Sequence, residues 1–198
     1  MKPSLFLSSV IRPGLEVLAD ATALPVQSQE AEVLLLAIAT QESALRARWQ
    51  NNVVNTTLAR GYWQFEKAGG LAGVLGHRRT AEPLRSACAA LTLPVDLDSL
   101  WVALPYNDSL QVVLARLLLW SDAQPLPRIG AKDAAWDCYI RNWRPGKPSR
   151  LRWDAAYDGA VEVARDGTRL DVSEPTDPIT ILDHVSTSLT ALRRMIRP

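Results

Sequence analysis

The chain has 198 residues, 47% of them apolar and 22% charged, which is ordinary composition for a globular chain with one main core. Its 22 Lys and Arg against 21 Asp and Glu leave a net charge of +1, so nucleic acid is disfavoured as a partner, and the longest apolar run, Val33 to Ala39, is far shorter than the roughly 20 residues of a membrane span. Cys88 and Cys138 are isolated in helical contexts and His77 and His184 stand alone, so two buried thiols, no metal centre and no cofactor are expected.

At the N terminus Lys2 precedes the apolar stretch Leu5 to Ile11, but Arg12, Pro13 and Glu16 interrupt it before the small residues Ala19 to Ala21, which argues against a signal peptide. A short helix is expected from Gly14 to Thr22. Ser28 is placed to cap the next, with Glu30 and Glu32 opposing the positive end of its dipole, and the spacing predicts a helix from about 28 to 47. Seven successive apolar residues, Val33 to Ala39, mean that this helix is covered on every side. A further helix is expected over Thr80 to Leu91. Asp108 and Gln111 have capping-box spacing and open a second buried helix through Leu110, Val113, Leu114, Leu117 and Leu118 to Trp120, closed by Pro125 and Pro127.

Helices are also expected over Ala131 to Trp143 and Trp153 to Arg165. The stretch Val161 to Val172 reads as helix and then loop, although Asp166-Gly167 also suits a tight β-hairpin. Near the end, Asp177 can cap a helix with Pro178 in its first turn, and Leu182, Val185, Leu189, Leu192 and Ile196 form a packing stripe, for the same domain or for a partner. The expectation is a mainly α protein with an N-terminal segment (1–27), a central domain (28–148) and a C-terminal helical extension (149–198).

At the end of the first buried helix the pattern changes abruptly from Leu-Ala-Ile-Ala to Thr40-Gln41-Glu42-Ser43, which sets a carboxyl group beside an apolar core. Desolvation and the negative end of the helix dipole both disfavour its ionised form, and a carboxylic acid that keeps its proton near neutral pH is what general-acid cleavage of a glycosidic bond requires. A glutamate at a helix end is, by itself, more often a solvated or capping residue. Downstream, Gly61 suits a positive φ or a close backbone approach. Tyr62, Trp63 and Gln64 offer stacking surface and an amide, although Tyr62, Trp63 and Phe65 are equally suited to a core. Trp49 and Trp63, near the acid, are the candidates for stacking on a sugar ring, and the polar stretch Asn51, Asn52, Asn55, Thr56 and Thr57 is either a plain loop or a source of hydrogen bonds to one.

Ala37-Ile-Ala-Thr-Gln-Glu42-Ser43 and Ala59-Arg-Gly61-Tyr-Trp-Gln64 together resemble, in order and spacing, the two motifs of the lytic transglycosylases and goose-type lysozymes, a helix ending in Glu-Ser and a following Ala-Arg-Gly-Leu-Met-Gln element. More loosely, the helix from Asp108 resembles the family's second core helix, and Trp136 to Trp143 stands in place of its Ala-Tyr-Asn segment, with Tyr139 lacking the Asn-Ala-Gly that usually follows. The resemblance spans about residues 28 to 148, and Arg-Pro-Gly-Lys-Pro at 144 to 148 is similar to bacteriophage members.

The resemblance implies a lysozyme-like helical domain that cleaves peptidoglycan glycan strands, with Glu42 as the catalytic acid and Ser43, Gly61, Tyr62, Trp63, Gln64 and Tyr139 on the substrate side. It further implies action at the bacterial cell wall, as a phage virion component among other virion proteins or on release at lysis. Between Glu42 and Glu66 no acidic residue occurs. A hydrolase with two flanking carboxyl groups would need one of Glu66 or Asp108, whereas a transglycosylase needs only Glu42, which protonates the leaving oxygen and then takes a proton from the C6 hydroxyl of N-acetylmuramic acid. Two other readings stay open: a virion or assembly protein that keeps this fold without activity, and a role of the local basic cluster Arg141, Arg144, Lys147, Arg150 and Arg152 towards nucleic acid or the anionic cell wall.

Overall fold

The computed structural model describes residues 1–46, 48–49 and 59–172, with side chains as far as Asp166. The polar stretch from Asn51 to Thr57 and the stripe from Leu182 to Ile196 lie outside the described residues. The chain is mainly helical: α1 (Pro3–Phe6), α2 (Arg12–Thr22), α3 (Gln29–Ser43), α4 (Ala72–Gly76), α5 (Ala81–Ala90), α6 (Leu97–Ala103), α7 (Asp108–Ser121), α8 (Lys132–Trp143) and α9 (Arg150–Val172).

α3 forms as its sequence dictates. The Ser28 hydroxyl accepts from the Ala31 N–H at 3.1 Å, and every residue from Val33 to Ala39 is at most 2% exposed, as a helix apolar on all sides must be. It stops at Ser43, short of the expected 47, because Ala44 and Leu45 both turn left-handed, at φ 51° and 54°. Burial of the Leu45 side chain helps hold that second unfavourable residue in place. The Thr40 and Ser43 hydroxyls turn back to the Leu36 and Ala39 carbonyls, at 2.8 and 3.0 Å.

The second buried helix, α7, is capped one residue earlier than the sequence suggested. Asn107 Oδ1 accepts from the Leu110 N–H at 2.9 Å, which leaves Asp108 as the first helical residue, its carboxylate accepting from the Gln111 side-chain amide at 3.3 Å. The N-terminal residues contribute to the core: Phe6, Ile11, Leu15 and Leu18 are essentially fully buried, and a π-helical turn over Leu7–Ile11 carries α1 into α2. Pro13 lies just past that π-helical turn, where the backbone continues right-handed through Ile11 and Arg12 into α2. α2 packs closely on α7 at Gly14, where a Cβ would lie 2.5 Å from Val112 Cβ.

α9 runs straight through Asp166-Gly167, so the hairpin alternative is not realised. Trp153, Tyr157, Ala160 and Ala164 fall on one buried face at helical spacing. One compact unit spans Met1–Ala164, residues 149–164 included, and a second begins at Arg165. Cys88 and Cys138 are buried free thiols, each pushed up to about 11 by desolvation. No helix among the described residues is long and apolar enough to cross a membrane.

Candidate active site

α3 ends at the side of an open cleft of about 770 Å³, and Glu42, in the last turn, lines it with its neighbour Gln41. Opposite, α8 contributes Tyr139, whose hydroxyl donates to Glu42 Oε1 at 2.6 Å. The Tyr139 ring lies flat on Trp153 of α9, with centroids 4.9 Å apart and 10° between planes, so the hydroxyl is aimed from a packed platform. Burial holds the Glu42 carboxyl above the ordinary carboxylate range. The Tyr139 hydrogen bond and the field of Arg152 pull the other way without overcoming it. The Tyr139 phenol is raised as well, first by burial and then by its bond to Glu42, and so keeps its proton.

Gln41 fixes this pair from behind. Its amide nitrogen donates to the Ser149 carbonyl at 3.3 Å, and its side chain also hydrogen-bonds Tyr139, favouring the phenolate, as a donor to that oxygen would. The residue is 8% exposed. The sequence motif contains Gln41, yet nothing in it distinguished Gln41 from any other residue preceding an acid.

The second motif folds as a tight turn closed by reciprocal bonds, Arg60 N–H to the Phe65 carbonyl at 2.9 Å and Phe65 N–H to the Arg60 carbonyl at 2.8 Å. Four residues bridge the closure, and both ends of the bridge are left-handed, Gly61 at φ 77° and Gln64 at φ 49°. Gln64 lines the cleft as expected, its amide nitrogen folded onto the Gly61 carbonyl at 2.7 Å. Ala59 and Phe65, on either side of the turn, also line the cleft, whereas Arg60, Gly61, Tyr62 and Trp63 do not.

Trp63 is wholly buried and its indole donates to the Leu35 carbonyl of α3 at 3.0 Å, which makes it the rivet between turn and acid helix rather than a wall for sugar. Tyr62 is buried under Phe6, edge to face at 4.9 Å, with the Arg48 guanidinium over its ring at 4.7 Å. Gly61 does approach something closely, but it is Gln111 of α7: a Cβ would lie 2.7 Å from Gln111 Oε1, which accepts from the Tyr62 N–H at 2.7 Å. Ser43 is spent on the Ala39 carbonyl and is buried. Trp49 pairs with Tyr106 and the Arg60 guanidinium, also away from the cleft.

Besides Tyr139 and Phe65, Trp143 lines the cleft, half-buried, its indole donating to the Trp63 carbonyl at 2.9 Å. Of the two acids weighed as partners for Glu42, Asp108 is held by Arg48, one contact being 3.0 Å, and lies outside the cleft lining, while Glu66 is exposed and lines it. Among the described residues no group of three His, Cys, Asp or Glu could hold a metal ion. The arrangement can deliver a proton from Glu42 into the cleft and stabilise the carboxylate left behind through Tyr139. In comparisons with known proteins no family model matches the chain, and no curated protein or solved structure matches it.

Proposed function

We propose that the protein is a peptidoglycan lytic transglycosylase that cuts glycan strands between N-acetylmuramic acid and N-acetylglucosamine with Glu42 as its single acid and base. The observation that carries this reading is the half-buried Glu42 carboxyl, kept above its ordinary range by desolvation, bonded by Tyr139 and facing an open cleft. Protonated Glu42 gives its proton to the glycosidic oxygen as the bond to C1 breaks. The resulting carboxylate, which accepts the Tyr139 hydrogen bond, removes the proton of the C6 hydroxyl, and O6 closes on C1 as a 1,6-anhydro ring. Glu42 ends protonated and no water is consumed. Attack from within the same sugar ring avoids the entropic cost of placing a separate nucleophile.

Gln64 supplies an amide and Trp143 an aromatic edge to the strand, and action at the cell wall, from a phage particle or at lysis, completes the reading. One observation supports a second outcome on the same site: Glu66 lines the cleft and could activate water, giving hydrolysis. Zymography with purified protein and its Glu42→Gln variant, followed by mass spectrometry of soluble products, tests both. Clearing by the parent alone, with muramic ends lighter by one water than lysozyme products, is the expected result. Reducing muramic ends that disappear in Glu66→Gln would replace transglycosylation by hydrolysis, and no clearing by the parent would leave a structural virion or assembly protein.

A further inference from the structure

Although the chain as a whole carries a net charge of only +1, its cleft does not share that balance. Arg141, Arg144, Lys147 and Arg152 line it, against the acids Glu42 and Glu66. Arg141 is neutralised by Asp122, with contacts of 2.6 and 2.8 Å, and Arg150, the remaining member of the basic run, is engaged by Asp133 and Asp154 and lies outside the lining. Arg144, Lys147 and Arg152 are exposed and form no ion pair with any described residue. Three cations without an ion pair among the described residues thus stand within nine residues of sequence in the cleft lining.

Arg152 lies in the first turn of α9, and Arg144 and Lys147 are carried before it on a pinned segment. Trp143, just before it, is bonded to the Trp63 carbonyl at 2.9 Å, and Ser149, just after it, has its carbonyl bonded by Gln41 of the acid helix at 3.3 Å. Pro145 and Pro148 fix φ between those anchors, and Arg144 turns left-handed at φ 47° to leave α8. A loop tied at both ends to the two motifs beside Glu42 holds its charges at a set place along a bound strand. Pre-organised cations recognise an anion at lower entropic cost than free ones do.

We infer that Arg144, Lys147 and Arg152 form a subsite for carboxylate groups carried by the substrate strand, which selects glycan bearing free peptide-stem carboxylates over the uncharged strand. The inference rests on the transglycosylase reading for the identity of the strand. Carboxylates match guanidinium and ammonium donors directly, and three cations suit the few carboxylates that a stem offers next to the cut bond. A nucleic-acid backbone would call for a longer basic track than this one, in a chain that is otherwise balanced.

The test measures binding and turnover separately, with soluble peptide-bearing glycan strands and the same strands after amidation of their carboxylates with methylamine. Binding is read by fluorescence polarisation in the Glu42→Gln background, which holds the strand without cutting it. Free-carboxylate strands are expected to bind about fivefold more tightly than amidated ones at low salt, a preference that shrinks as salt rises and falls below twofold in R144Q/K147Q. The charge-reversed R144E/K147E variant should invert the preference, with unchanged far-UV circular dichroism reporting that the exposed substitutions leave the fold intact. Equal binding of the two strands, or no binding of either, overturns the subsite whatever the turnover result. Discriminating binding without any cleavage by the parent protein overturns the transglycosylase reading and leaves the subsite standing.

Discussion

At the scale of single residues, Glu42 and Tyr139 have opposite effects on one proton. Burial raises the Glu42 pKa, so over the interval between its unfolded and folded values the native state holds a proton that the unfolded chain has lost. The associated stability is complete at low pH and is lost as pH rises through the folded value. Glu42→Gln has no charge to bury, and its Tm relative to the parent should climb between pH 4 and pH 8. A difference that stays constant with pH would contradict the desolvated carboxyl. Cleavage requires the protonated acid, so its rate should fall as pH rises through the Glu42 pKa. Tyr139→Phe removes a hydrogen bond that favours the carboxylate, which should move this alkaline limb to higher pH while kcat drops about tenfold or more through the less stabilised anion. A merely structural tyrosine would lower activity without moving the limb, and a pH–rate profile separates the two.

At the scale of elements, the site depends on how the turn over Gly61 to Gln64 is fastened to α3 and α7. Its fastenings are the Trp63 indole on the Leu35 carbonyl and the Tyr62 N–H on Gln111, which is itself fully buried. Gly61→Ala would force a Cβ into a left-handed residue at about 1 kcal/mol and drive Gln111 off the Tyr62 N–H, leaving a buried donor unpaired. The combined loss should be about 2 to 4 kcal/mol, seen as a Tm drop of roughly 5 to 15 °C in a thermal melt. A loss under about 1 kcal/mol would mean that the turn and α7 can separate without consequence, contrary to the close approach at this glycine.

At the scale of the whole molecule, one core reaches from the first helix to Ala164 and encloses both cysteines. With each thiol raised to about 11, only about one in a thousand is thiolate at pH 8, and burial bars the reagent as well. Ellman's reagent should therefore titrate two thiols per chain at once in denaturant and react in the native protein only as fast as the core opens. Rapid native reaction of either cysteine would place it outside that core.

The sequence alone determined the character of α3, because a run of seven apolar residues behind a Ser cap can only be a helix covered on all sides. It also determined that a carboxyl group at the end of that run would be desolvated. Ala44 and Leu45 carry no breaker signal, so the end of α3 at Ser43 was not legible: the left-handed pair occurs where Leu45 is buried, and that burial is a tertiary fact. The short α4 and α6 left too few residues for a period to show. Within Tyr62-Trp63-Gln64 the sequence offered three cleft candidates, and only the folded turn decided among them, because two left-handed residues and the pull of Leu35, Phe6 and Gln111 send the aromatics inward and Gln64 outward. Trp143, Gln41 and the pinned basic segment depend on contacts across about 100 residues, which no local pattern encodes. Tertiary packing decided them because it alone brings the end of α3, the turn and the end of α8 to one cleft.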